Sequence, residues 1–105
     1  MIVTIHSSNI SGTIQAPASK SSMQRACAAA LLHHGETLIE HPGHSNDDLA
    51  AIELIQQMGA IARTDDNKLF ITSRGIRPAG NEVNCGESGL GIRMFAPIIA
   101  LSDQL

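Results

Sequence analysis

Pro17-Ala18-Ser19-Lys20-Ser21-Ser22-Met23-Gln24-Arg25 opens the first helical stretch of this chain. Pro17 and Ser19 supply a turn and an N-cap, and the alanine-rich run that follows favours helix over residues 19–34. Four-residue spacing puts Lys20 and Gln24 on one row of that helix and Ser21 and Arg25 on the next. Two cations, a hydroxyl and the free amides of a first turn are therefore expected to converge on one small volume. Such a volume suits a phosphate or a carboxylate. The same residues also fit a solvated first turn with ordinary surface charges.

Apolar residues then recur at Met23, Ala26, Cys27, Ala30 and Leu31, which is the expected buried stripe of the helix. Gly35 ends it. A strand is expected over residues 36–40, and the loop from His41 to Asp48 feeds a second helix over residues 47–58. Ser45 and Asp48 form a capping box with Asp in place of Glu or Gln. Leu49, Ile52, Ile55 and Met58 are the expected stripe of that helix, and Gly59 stops it. Residues 60–63 and 68–72 read as a hairpin around Asp65-Asp66-Asn67. Further short strands are expected at residues 2–5, 12–16 and 82–85. The last segment, Gly86-Glu87-Ser88-Gly89-Leu90-Gly91, is a glycine-rich entrance to an apolar helix that Pro97 bends. The order of elements gives a mixed α/β layer domain.

The chain has 105 residues, enough for one small domain with a core. Its 43% hydrophobic content argues against disorder, and its 2% aromatic content calls for a core of Ala, Leu, Ile and Met. A net charge of -3 without a basic tract disfavours nucleic acid as a partner. No stretch reads as a membrane span or a signal peptide. Cys27 and Cys85 are too few for a disulfide scaffold, and Cys27 lies on an apolar helix face, as a reduced packing residue does, so a reduced, cytoplasmic setting is expected. His41 and His44, with His33 and His34 nearby, lack the companions that complete a structural metal site.

Two motifs carry a resemblance to a known family. Residues 17–25 resemble the proline, small residue, serine, lysine, serine and later arginine signature of the EPSP synthases. These are the 3-phosphoshikimate 1-carboxyvinyltransferases, a branch of the enolpyruvyl transferases. Cys85-Gly86-Glu87-Ser88-Gly89-Leu90-Gly91-Ile92-Arg93 resembles their second, glycine-rich signature, and Asn46-Asp47-Asp48 resembles the acidic entry to their second helix. The similarity runs over the whole chain, whereas the family's enzymes are several times longer. An amino-terminal piece is therefore expected.

The resemblance implies an α/β fold built on the enolpyruvyl-transferase repeated unit. That unit is part of a two-domain inverse-barrel (inside-out α/β barrel) architecture with the active site between the domains. Residues 1–18 would be a strand pair and crossover belonging partly to the other domain. Residues 19–105 would form the first repeated unit and the start of the second. The implied reaction transfers the enolpyruvyl group of phosphoenolpyruvate to the 5-hydroxyl of shikimate 3-phosphate and releases phosphate, without a metal or organic cofactor. It belongs to chorismate and aromatic amino-acid biosynthesis.

By the same resemblance, Lys20, Ser21 and Arg25 bind shikimate 3-phosphate. Lys20 also reaches phosphoenolpyruvate and is the catalytic residue, and Gly89 lies beside that second substrate. Arg93 takes a structural or supporting role. Glu87 stands where many members have asparagine and is expected to turn toward a cation such as Arg93. Leu90 replaces a usual threonine, and Met94 a usual proline. The other partner expected is the remainder of the parent enzyme, or a second copy, meeting the apolar segment 94–101 through Phe95, Ile98, Ile99 and Leu101. The family's acid and base carboxylates come from later in its polypeptide, so this piece alone is expected to be inactive. The alternatives are an enzyme transferring the same group to a UDP-sugar, as UDP-N-acetylglucosamine 1-carboxyvinyltransferase does, or a non-enzymatic phosphate-binding domain. Lys20-Ser21 with Arg25 favours the shikimate reading over the first alternative.

Overall fold

The structure is a computed structural model that describes residues 1–102; residues 103–105 of the unit expected over 19–105 lie outside the described residues. Helix α1 (Lys20–Leu32) starts at Ser19, whose backbone is extended and whose Oγ accepts a hydrogen bond from the Ser22 amide. The expected stripe is buried, with Ala26 only half-buried, and it is joined by Ala28 and by a residue the apolar pattern does not reveal, Gln24. Gly35, at φ 145, begins strand β1 (Gly35–Glu40).

Helix α2 (Asn46–Gln57) carries the expected capping box: Ser45 Oγ accepts from the Asp48 amide, and Asp48 Oδ2 accepts from the Ser45 amide. The box turns Asp48 inward, and the buried row therefore runs Asp48, Ala51, Leu54, Ile55 and Met58. This corrects the stripe read from the sequence. Leu49 faces outward at 52% exposure, and Ile52 is half-buried.

Strands β2 (Ile61–Asp65) and β3 (Lys68–Ser73) form the expected hairpin, with Asp66 and Asn67 both at positive φ, as a two-residue type I′ turn requires. All pairing is antiparallel and the order is β1-β3-β2. The central strand alternates, burying Leu69, Ile71 and Ser73 while Lys68 and Thr72 face out. Ser73 Oγ donates to the Leu31 carbonyl at 2.6 Å, tying β3 to the free carbonyls at the end of α1.

Helix α3 (Gly89–Ile99) is capped by Ser88 and contains Pro97. The three helices pack against one another, and α1 and α2 also pack on the sheet. Their shared core is Met23, Cys27, Leu31, Leu54, Ile55, Met58, Leu69, Ile71 and Phe95.

Three expected strands are absent. Residues 1–19 are exposed and form no strand, and Ile2, Ile5, Ile10 and Ile14 are each at least 87% exposed. Two short strands with no layer behind them have nothing to bury, and such a pair is marginal in water. Residues 82–85 also run outside the sheet. There the Asn84 amide donates to Gln57 Oε1 at 2.9 Å and the Gly86 amide to Asn84 Oδ1 at 2.8 Å, so side chains replace a ladder. Phe95, expected at a contact with other chains, is fully buried within this one. Ile98 and Ile99 pack partly on the core, while Leu101 is 69% exposed.

Candidate functional site

The starts of the three helices meet at one open cavity of about 620 Å³. It is lined by Lys20 from α1, by Ser45, Asn46, Asp47 and Ala50 from α2, and by Gly86 and Glu87 just before α3. Each helix start is fixed by its own serine. Ser19 caps α1, Ser45 caps α2, and Ser88 caps α3 by accepting from the Gly91 amide at 2.9 Å. The first turn of α2 therefore faces this space with its free amides and its positive dipole end, beside the first residue of α1 and the turn that precedes α3. That backbone arrangement favours an anion.

Among the described residues, the only ammonium lining the cavity belongs to Lys20, whose Nζ is 3.3 Å from Asp47 Oδ2. Lys20 is exposed and Asp47 half-buried, so solvent screens the pair and it adds little stability; its effect is to hold the ammonium at the mouth of α2. Asp48 serves a different purpose. It is buried and accepts from Ser45 Oγ at 2.7 Å as well as from the Ser45 amide at 3.0 Å, which locks the turn that presents Asp47. Gly43 lies directly behind this carboxylate.

Lys20 and Glu87 are thus brought to one cavity, while Ser21, Arg25, Gly89 and Arg93 do not line it. Five residues of helix turn the chain by about 140° beyond a full circle, so Lys20 and Arg25 diverge rather than converge. Ser21 and Arg25 are exposed. Glu87 makes no ion pair with Arg93, contrary to expectation; Arg93 Nε instead folds back to the Gly89 carbonyl at 3.0 Å. Among the described residues, a Cβ on Gly89 would meet only the Arg93 guanidinium, at 3.5 Å, an ordinary van der Waals contact.

The sequence reading missed Asp47 as the partner of Lys20 and Gln24 as a buried polar residue. Asp47 was legible in part, since it sits within the acidic helix entry. Gln24 was not, because a polar residue four places after a lysine reads as surface.

Cys27 behaves as a packing residue. It is fully buried, and burial, with a smaller contribution from the Asp48 carboxylate, pushes its thiol up to about 12. Burial also raises the half-buried Cys85 thiol. Among the described residues, no group of three or more His, Cys, Asp or Glu side chains is placed to hold a metal. His41 Nδ1 lies 2.6 Å from Asn67 Nδ2, linking the end of β1 to the hairpin turn. No helix among the described residues is long and apolar enough to cross a membrane.

The family model described as EPSP synthase (3-phosphoshikimate 1-carboxyvinyltransferase) matches residues 5–105. The chain belongs to the EPSP synthase family. Among curated relatives, the 3-phosphoshikimate 1-carboxyvinyltransferase of Methanosphaera stadtmanae is 34% identical over 97 residues, covering 90% of this chain and 23% of that protein. That of Clostridium perfringens is 33% identical over 104 residues, covering 97% of this chain and 24% of its own length. The chain therefore spans about a quarter of the curated relatives it matches. A solved EPSP synthase from Acinetobacter baumannii superposes with a TM-score of 0.71 at 22% identity, over 83% of this chain and 21% of that one. This likeness supports an α/β enolpyruvyl-transferase-like fold for the residues it covers.

Proposed function

We propose that this chain is the amino-terminal part of an enolpyruvyl transferase acting on phosphoenolpyruvate and shikimate 3-phosphate. The observation that carries the reading is the placement of Lys20, which matches the signature lysine of the EPSP synthase family, at the cavity that opens on the start of α2 and the turn before α3. In the proposed reaction the 5-hydroxyl adds to C2 of the enolpyruvyl group while C3 takes a proton, giving a tetrahedral adduct. Elimination of phosphate, with loss of a proton from C3, then restores the double bond. The groups of this chain serve the anions. Lys20 and the helix amides neutralise phosphate or carboxylate oxygens, and Asp47 aims the ammonium. Ser21, Arg25 and Gly89 would join the site only from the side of the cleft that the rest of the polypeptide completes, in a two-domain architecture. The acid and base carboxylates would come from there too, and this chain alone is read as inactive.

The test is Lys20→Met in the complete polypeptide. It should lower kcat/KM by roughly 10²–10³ while leaving the fold intact, the effect of removing one preorganised electrostatic donor. Unaltered catalytic efficiency would refute the assignment. Product formed by the purified 105-residue chain would refute its inactivity. Tight binding of a UDP-sugar in place of shikimate 3-phosphate would move the reading to the related transferase.

A further inference from the structure

Gln24 occupies a variable position inside the helix-opening stretch, yet it is 1% exposed, more deeply buried than Met23 beside it. Its Nε2 donates to Ser88 Oγ at 3.1 Å, across 64 positions of sequence. Ser88 is buried as well, and the same Oγ caps α3 by accepting from the Gly91 amide. One side chain therefore joins the first signature to the second. The bond comes with a cost, because Gln24 Oε1 is buried without a hydrogen-bond partner among the described residues. An unpaired buried carbonyl costs at least as much as one neutral hydrogen bond returns. For stability alone, a methionine of the same shape would serve as well. What a methionine lacks is the means to fix where α3 begins relative to α1.

We propose that Gln24 is a positioning residue that acts through Ser88 to register the start of α3 against the start of α1, so that Gly86 and Glu87 face the same cavity as Lys20. The geometric part stands by itself; its consequence for ligands rests on the proposed reading of the cavity as an anion site. Gln24→Met in the isotopically labelled 105-residue chain separates the two. Residual dipolar couplings of the α1 and α3 amides give the relative orientation of the helices without any ligand. In the wild-type chain they should fit α1 and α3 as the Gln24–Ser88 hydrogen bond joins them. In Gln24→Met they should require a reoriented α3, with the helical circular dichroism unchanged.

A titration with inorganic phosphate, followed at the Lys20 side chain and the Gly86 and Glu87 amides, reads the consequence. Affinity should fall about three- to ten-fold in Gln24→Met, the size of one lost hydrogen bond. Ser88→Ala also removes the cap on α3, so the cycle is read in that background: once Ser88→Ala is in place, Gln24→Met should have no further effect, because their contact is already gone. Should Gln24→Met fail to fold, Gln24→Leu is measured in its place. Unchanged couplings overturn the proposal, and so does unchanged phosphate affinity in a chain that binds phosphate. A wild-type chain whose amides ignore phosphate counts against the anion site instead, and the couplings still decide the role of Gln24.

Discussion

Gly43→Ala is expected to be among the most damaging single-methyl additions to this chain. A Cβ at Gly43 would overlap Asp48 Oδ2 and lie only 2.6 Å from the carboxyl carbon. Asp48 is 1% exposed, so its carboxylate has no room to retreat without losing what it holds. It holds the Ser45 amide at 3.0 Å and the Ser45 hydroxyl at 2.7 Å. Each hydrogen bond to a charged acceptor contributes about 1.5–3 kcal/mol, and a lost helix cap costs about 0.5–2 kcal/mol. Partial relaxation keeps some of this, which leaves a net loss of roughly 2–4 kcal/mol. In a domain of this size each kcal/mol moves the melting temperature by about 4–8 °C, so a fall of about 10–25 °C is expected. Thermal unfolding followed by circular dichroism measures it. The double variant Gly43→Ala/Asp48→Ala adds a sharper check: with the carboxylate gone the methyl meets little, and its added cost should fall below about 1 kcal/mol. A Gly43→Ala chain melting within a few degrees of wild type would refute the reasoning, as would fully additive costs.

Other expectations follow from the same geometry. Glu87→Gln should raise the affinity of the chain for inorganic phosphate by about two- to five-fold, since it removes a like charge from the cavity; titration by NMR measures this. Cys27 makes stability fall at high pH. Its folded thiol keeps its proton to about 12 while the unfolded thiol releases it near 9.0. Between those values the unfolded state binds fewer protons, so stability drops as pH rises, by up to about 1.4 kcal/mol per pH unit, and below pH 9 this contribution is fully present. Urea midpoints at pH 8.5 and about 10.5, compared between wild type and Cys27→Ala, should show the extra slope only in wild type. Asp66→Gly should stabilise the hairpin by up to about 1 kcal/mol and Asp66→Val should destabilise it, because φ at that residue is 44°. Equal melting temperatures for the two variants would contradict the turn geometry.

What could be read from the sequence were features with a local cause. The Ser19 and Ser45 caps, the hairpin turn at Asp66-Asn67 and the apolar row of α1 all follow from residues within a few positions of each other. The errors fall where a distant element decides. Residues 2–5, 12–16 and 82–85 have strand composition, but a strand exists only if a neighbour pairs with it, and composition cannot supply one. Leu49 was misplaced because the inward turn of Asp48 set the rotation of α2 by one residue. Helix spacing put Lys20 at the start of α1, where it lines the cavity, but wrongly joined it to Arg25, since positions five apart are not neighbours on a helix. Gln24 became visible only with its partner 64 positions away.

The charge around the cavity explains why a lone lysine fits the proposed reading yet does not complete it. One ammonium faces two carboxylates there, those of Asp47 and Glu87. The N-terminus of α2 adds roughly half a positive charge, which leaves the surroundings close to neutral rather than strongly positive. The nearest other signature cations are turned elsewhere: Arg25 does not line the cavity, and Arg93 is engaged with the Gly89 carbonyl. Near-neutral, well-hydrated surroundings can orient a phosphate but cannot hold a dianion tightly, because solvent screens each contact. On the proposed reading, two polyanionic substrates must approach one another, and their mutual repulsion requires several cations in a space closed to water. This chain contributes one lysine at a mouth shaped by three capped helices. On that reading, closing the mouth and supplying the remaining positive charge would fall to the rest of the polypeptide, and Lys20 would lie at the junction of two halves of a site.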